Sequence, residues 1–205
     1  VGGSGAGGRG ARAESRPAAG GEVIQDEAIR DAIEAHHEEL SLPAGSDLDA
    51  RALLAAICGN ETAWGDPNWR WKAPHEPAFD RGGRYYWGNR MDIMRYGDLA
   101  ARSWGPWQTM YPVARELGFL GHPWDLNIEA RAVSVLIDYL NRRTFVEWPK
   151  APKGSLVAPA RSVRDVGDSY NTGSMRDTNH NPKYEADLEA NYARALAFYR
   201  TGATP

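Results

Sequence analysis

Apolar residues recur along this chain at helical rather than alternating intervals. Val23, Ile24, Ile29, Ala32, Ile33 and Leu40 share one broad face between Glu22 and about Leu40, which predicts a first helix. Pro43-Ala44-Gly45 ends it. A second helix is expected to start at Ser46 or Asp47, either of which can cap it, with Asp49 near the positive end of the dipole. Leu53, Leu54, Ile57 and then Glu61 follow at helical spacing, so a carboxylate lies on the stripe that otherwise faces the core. Gly59 and Asn60 weaken the helix just before it, and Asp66-Pro67 forbids much continuation. Residues 62–102 show little periodicity and are punctuated by Pro67, Pro74, Pro77 and Gly82-Gly83, so they read as one long connection. Further helices are predicted at Val113 to Leu117, ended by Gly118, and at Ile128 to about Leu140, capped by Asn127. The second of these carries Ala132, Val135, Leu136, Tyr139 and Leu140 inward. A polar link over 149–160 leads to a weaker helix ending near Ser169 to Gly173, and a last helix spans Tyr184 to Tyr199. No strand of useful length, internal repeat or heptad is visible, so the expected class is mostly α.

Composition narrows the picture. The first 20 residues are Gly, Ala, Ser and Arg with almost nothing to bury, which reads as a disordered tail or linker. Residues 21–205 are long enough for one domain with a real core. The net charge of −3 and the absence of a dense Lys/Arg run argue against nucleic acid. No stretch of about 18 apolar residues would span a membrane. The chain opens on Val1, so a leader or larger upstream part is compatible with it, and the domain is read as a monomer or as a module tethered through the tail. Cys58 is the single cysteine and sits among apolar neighbours, where a free thiol behaves as a small buried hydrophobe. Eight Trp are the oddity, and six of them (64, 69, 71, 87, 104 and 107) crowd one region, so the 62–102 connection is aromatic-rich.

A carboxyl at the end of an apolar helix is partly desolvated, which raises its pKa and keeps it protonated for acid work. The plain alternative for Glu61 is a frayed, solvated side chain. His36 and His37 are adjacent and cannot form an i, i+4 metal pair with each other, so they read as surface or satisfied histidines. Asp177 to Asn181 begins like a calcium loop, but Pro182 replaces the glycine and Leu188 the bidentate glutamate. No metal site and no cofactor are expected.

Three stretches stand in order: Glu61-Thr62, then Ser103-Trp104-Gly105-Pro106-Trp107-Gln108, then Tyr170-Asn171-Thr172-Gly173-Ser174. Their sequence resembles the soluble lytic transglycosylase and goose-type lysozyme superfamily, whose members carry Glu-Ser/Thr at a helix end, an S-x-G-L-M-Q turn and an A-Y-N-x-G segment. Trp124-Asp125-Leu126-Asn127-Ile128 is similar to the D-P-x-x-N-I link of that family, and the likeness runs from about Glu22 to Tyr199. The resemblance implies a lysozyme-like single domain, with a long insertion between the catalytic helix and the S-x-G-x-x-Q turn. It implies Glu61 as the general acid that protonates the glycosidic oxygen between N-acetylmuramic acid and N-acetylglucosamine. Tyr170 would hydrogen-bond Glu61, Asn171 would reach the sugar or the site backbone, and Ser103, Gly105, Trp107 and Gln108 would line the cleft. Trp71 to Phe79 looks like a variant of an R-x-E-P-x-x-F segment found in some relatives, which makes Glu76 a further substrate-binding residue.

The plain alternatives are a core tyrosine at 170, a surface amide at 108, a cap or turn serine at 103, and tryptophans that merely pack. Departures from the pattern are Pro106-Trp107 in place of Leu-Met, and Ser169 in place of Ala. An inverting hydrolase needs a second carboxylate about 6.5–9.5 Å from the acid. Asp66, Glu76, Asp80 and Asp92 are the available residues. A lytic transglycosylase needs only Glu61, since the muramyl 6-hydroxyl closes a 1,6-anhydro ring. The expected function is therefore a peptidoglycan lytic transglycosylase of the cell envelope, or a phage lysin, with glycan strands as its partner. The alternatives are a muramidase on the same fold and a non-catalytic wall-binding module.

Overall fold

The computed structural model describes residues 26–62, 64, 90–150, 155–172 and 181–202. These are mostly helical. Helix α1 (Glu27–His36) starts where the Asp26 carboxylate accepts from the Ala28 N–H, and it buries Ile29, Ala32 and Ile33. Helix α2 (Ala50–Thr62) is capped by Asp49, whose carboxylate accepts from the Ala52 N–H at 2.9 Å. The expected cap at Ser46 or Asp47 thus moves to the residue next to the helix. Every residue of α2 from Ala52 to Gly59 is buried. A helix apolar all round belongs in the middle of a core, and its neighbours wrap it.

Helix α3 (Arg90–Tyr96), followed by a 3-10 turn at Gly97–Ala101, occupies the end of the stretch expected to be irregular. Seven residues are too few to register as periodicity. Asp92, paired with Arg115 at 3.0 Å, ties α3 to α4 (Tyr111–Glu116). A short hairpin, β1 (Ser103–Trp104) against β2 (Thr109–Met110), lies between them. A 3-10 turn (Pro123–Asn127) leads into α5 (Glu129–Tyr139), whose N-cap is Ile128 and not Asn127. The Asn127 amide is used elsewhere, accepting from the Gly105 N–H at 3.2 Å.

Helix α5 continues into a π-helical turn (Leu140–Thr144), and β3 (Trp148–Lys150) pairs antiparallel with β4 (Ser155–Val157) inside the stretch read as a link. Strands of two or three residues show no alternation for a sequence reading to find. Helix α6 (Val163–Thr172) is set against the end of α5 and the π turn by two buried contacts. The Tyr139 hydroxyl donates to the Ser169 carbonyl at 2.9 Å, and the hydroxyls of Thr144 and Ser169 meet at 2.9 Å. Ser169 therefore satisfies a buried threonine.

Helix α7 (Pro182–Thr201) runs antiparallel along α2. The Asp49 N–H donates to the Tyr192 hydroxyl at the start of α2, and Asn191 donates to the Asn60 amide oxygen near its end. Gly167 permits α6 to close on α7, since a Cβ there would stand 3.3 Å from Leu188 and 3.4 Å from the Glu185 backbone.

The β1–β2 hairpin depends on one glycine. Gly105 adopts φ 76°, and a Cβ at that position would fall 2.1 Å from the Leu126 carbonyl oxygen. Strain and collision act together there, so Gly105→Ala is expected to cost about 2–4 kcal/mol. The check is the urea midpoint of the variant against that of the parent chain; an unchanged midpoint would refute the close packing.

Candidate active site

Glu61 lies in the last turn of α2, between a buried core and the first turn of α7. Tyr184 donates its hydroxyl to Glu61 Oε1 at 2.8 Å. The position of Tyr184 is itself fixed. Asn181 caps α7 by accepting from the Tyr184 N–H at 3.2 Å, and Pro182 occupies the opening position of the helix. Asn60 then donates its amide to the Tyr184 carbonyl at 3.3 Å while accepting from Asn191 at 2.7 Å. The dipeptide Asn60-Glu61 thus joins the end of α2 to α7 through three hydrogen bonds. Thr62, next in line, returns its hydroxyl to the Cys58 carbonyl at 2.7 Å and satisfies one of the helix's terminal acceptors.

Burial pushes the Glu61 carboxyl up to about 7, against a smaller opposing effect of the Tyr184 hydrogen bond. The negative end of the α2 dipole acts in the same direction as burial. Tyr184 is held far above the ordinary tyrosine range by burial and then by the Glu61 charge. Tyr170 is raised by burial and, next, by Glu61. Both phenols are therefore neutral donors beside a carboxyl poised near neutrality. Cys58, one turn back, is fully buried, and its thiol is pushed up to about 12, chiefly by burial. A thiol so protonated is a packing group.

Other sequence-predicted residues fall into place differently. Tyr170 stands within electrostatic reach of Glu61, but its hydroxyl donates to the Trp107 carbonyl at 2.5 Å, and the hydrogen bond to Glu61 belongs to Tyr184. Trp107, expected to line a cleft, is wholly buried, with its indole N–H donated to the Leu54 carbonyl at 2.9 Å. Its ring pins the hairpin to the middle of α2, so it has no face for a sugar. Gly105 brings its backbone to Leu126 rather than to a ligand.

Gln108 is half-buried with φ 49°, and both its backbone N–H and its Nε2 donate to the Gly105 carbonyl. A left-handed glutamine closing a turn on its own side chain is stored strain of the sort found at functional sites. Ser103 is half-buried on β1, opposite Met110. Asn171 is exposed and meets Asn181, 3.5 Å away, at the cap of α7. Trp64 is half-buried with φ 67°, and its indole lies over Gly59 so closely that a Cβ there would come within 2.8 Å of the ring.

Asp92, one of the four carboxylates considered as a base, is paired with Arg115. Glu76, Asp66 and Asp80, like Gly173, Trp69, Trp71 and Trp87, lie outside the described residues. His36 and His37 are satisfied locally, the first by Glu39 at 2.7 Å and the second by the Glu34 carbonyl at 3.0 Å. Among the described residues no three His, Cys, Asp or Glu side chains converge as a metal-binding group. A groove of about 350 Å³ between His36, Phe119 and Asp138 shares no residue with the Glu61 site.

Sequence reasoning missed Tyr184 and Asn60 as site residues. A signal was present: a tyrosine in the first turn of the last helix, on its inner stripe, carries a hydroxyl that must find a buried acceptor. A scan of protein-family models, a search of curated proteins and a search of solved structures gave no match to this chain.

The raised pKa makes a prediction that needs no substrate. Folded Glu61 binds its proton more tightly than the unfolded chain does, so this group favours folding most below pH 4.5 and loses that contribution as pH rises through about 7. The full shift corresponds to about 3 kcal/mol, and partial exposure of the side chain brings the expected effect nearer about 2 kcal/mol. Glu61→Gln keeps an acceptor for Tyr184 without the charge. It should be more stable than the parent at pH 8 by about that amount and indistinguishable at pH 4.5. Urea unfolding at the two pH values decides, and equal stability at pH 8 would mean that Glu61 ionises as an ordinary carboxylate.

Proposed function

We propose that this chain cleaves the glycan strands of peptidoglycan as a lytic transglycosylase, with Glu61 as its general acid and then its base. The observation that carries the reading is the buried, Tyr184-held Glu61 carboxyl at the end of α2, its pKa pushed up to about 7 by burial. The order of the Glu61-Thr62, Ser103 to Gln108 and Tyr170-Asn171 segments along a mostly helical chain supports the same reading, as does the approach of Tyr170 to Glu61. A lysozyme-like arrangement and action in the cell envelope, or as a phage lysin, belong to this proposal.

The chemistry follows from the carboxyl. With Oε1 accepting from Tyr184, Oε2 carries the transferable proton. Glu61 gives that proton to the glycosidic oxygen as the bond from muramyl C1 breaks, leaving the N-acetylglucosamine hydroxyl. The substrate N-acetyl group assists the departing bond. The now anionic Glu61 takes the proton of the muramyl 6-hydroxyl as that oxygen bonds to C1. One C–O bond breaks, one forms, the proton returns to Glu61, and no water is consumed. One carboxylate suffices for both steps.

The test is mass spectrometry of muropeptides released from purified peptidoglycan. Products ending in 1,6-anhydromuramic acid, one water lighter than hydrolytic ones, are expected. Reducing ends would replace the proposal with a muramidase, and sedimentation with the sacculus without release would replace it with a wall-binding module. Glu61→Gln should lower release at least about a hundredfold. Release should be level at acid pH and fall about tenfold per unit above pH 7, as the acid form of Glu61 disappears. Because the Tyr184 hydrogen bond favours the ionised carboxyl, Tyr184→Phe should move that alkaline limb upward while lowering the plateau. An alkaline limb that moves downward in Tyr184→Phe would contradict the assigned role.

A further inference from the structure

Asn191 lies on α7 two helical turns beyond Tyr184, on the same face, with the wholly buried Leu188 between them. That face is turned to α2. Asn191 Nδ2 donates to Asn60 Oδ1 at 2.7 Å, and the Tyr184 hydroxyl donates to Glu61 Oε1 at 2.8 Å. Two adjacent residues of α2 are thus held by two residues of one stripe of α7. Asn60 closes the arrangement by donating Nδ2 to the Tyr184 carbonyl at 3.3 Å.

Asn191 decides which way the Asn60 amide faces. A primary amide has one accepting end and one donating end. With Oδ1 taken by Asn191, Nδ2 is directed to the Tyr184 carbonyl. Without the Asn191 donor the amide is free to turn, which sets oxygen against oxygen at Tyr184. The parts joined here are helix ends, where a fold opens first. Other supports of the first turn of α7 do not reach α2. Asn181 caps it by accepting from the Tyr184 N–H, and Arg164 of α6 holds Glu185 at 2.9 Å. Lys183 pairs with Asp187 at the surface, where an ion pair adds little. The titratable groups facing Glu61 are Tyr184 of α7, Tyr170 of α6 and Cys58 of α2, all neutral near pH 7. The Tyr184 hydrogen bond is therefore the polar interaction set against burial at this carboxyl.

We infer that Asn191 is a positioning residue for the Glu61 site: through Asn60 it holds the first turn of α7 where Tyr184 can hydrogen-bond the carboxyl. Its effect on glycan release rests on the role proposed for Glu61, while its effect on the carboxyl rests on geometry alone.

The experiment is a titration of the Glu61 side-chain carboxyl by carbon NMR on the isotope-labelled full chain, with the resonance assigned by its loss in Glu61→Gln. The Tyr184 bond favours the ionised form, so loosening it moves the midpoint upward. Asn191→Leu should raise the midpoint by at least about half of the rise found in Tyr184→Phe. In the Tyr184→Phe background the same substitution should raise it no further, because the bond it acts through is gone. Asn191→Ser, with a side chain too short to reach Asn60 but still polar at this half-buried contact, should act in the same direction as Asn191→Leu. Tyr192→Phe removes the hydroxyl that accepts from the Asp49 N–H at the far end of the same helix pair, and it should leave the midpoint in place. An unmoved midpoint in both Asn191 variants overturns the assignment. So does an equal rise in the Tyr184→Phe background or in Tyr192→Phe, since either would make Asn191 a packing contact of no special consequence for Glu61. The titration uses no substrate, so its result stands whether or not muropeptides are released. Where release is measured, its alkaline limb in Asn191→Leu should rise with the carboxyl midpoint. A limb that stays while the midpoint rises would remove Glu61 as the acid and leave the positioning role of Asn191 intact.

Discussion

The structure rests on the problem posed by α2. A helix buried on every side from Ala52 to Gly59 is stable only if its neighbours also satisfy the polar groups at its end. Asn60, Glu61 and Thr62 carry that end. Thr62 turns back onto the helix, Asn60 is shared between Asn191 and the Tyr184 backbone, and Glu61 takes the Tyr184 hydroxyl. Helix α7 is therefore both the packing partner of α2 and the source of its terminal hydrogen bonds. The β1–β2 hairpin grips the same helix further back, through the Trp107 indole on the Leu54 carbonyl.

The same constraint produces the electrostatics. A carboxyl held at the end of a dry helix resists ionisation, and one phenol bond is too little compensation to restore its ordinary acidity. A carboxyl whose pKa is raised on folding favours the folded state less as pH rises through about 7. Strain gathers in the same part of the fold: Trp64 and Gln108 are the non-glycine residues at positive φ among those described, one just after Glu61 and the other in the hairpin that Tyr170 touches through Trp107. Costs of this kind concentrate where a side chain has chemical work.

The helical class, the helix carrying Glu61, the apolar face of α5 and the inner stripe of α7 were legible because each spans several turns. The hairpins were not, since pairs and triplets of residues hold no period, and α3 failed for the same reason at seven residues. Caps shifted by short distances because Asp47 and Asp49, or Asn127 and Ile128, compete locally, and long-range partners decide. Asn127 is drawn off by Gly105. Spacing placed Glu61 on the core-facing stripe of α2, with a frayed, solvated side chain as the alternative. Its partner could not be read, because the choice between Tyr170 and Tyr184 is made by how α6 and α7 lie on α2. Trp107 was misread because an aromatic beside a turn can face either way, and its indole N–H turns inward to the Leu54 carbonyl of α2.

Glu61 and Tyr184 are separated by 123 positions, the first at the end of α2 and the second in the first turn of α7. Synthesis delivers α2 long before α7 exists to cover it. Without α7 docked, Glu61 meets water and titrates as any exposed carboxylate would. The unusual acidity thus belongs to neither helix alone and exists only where α7 lies over the end of α2.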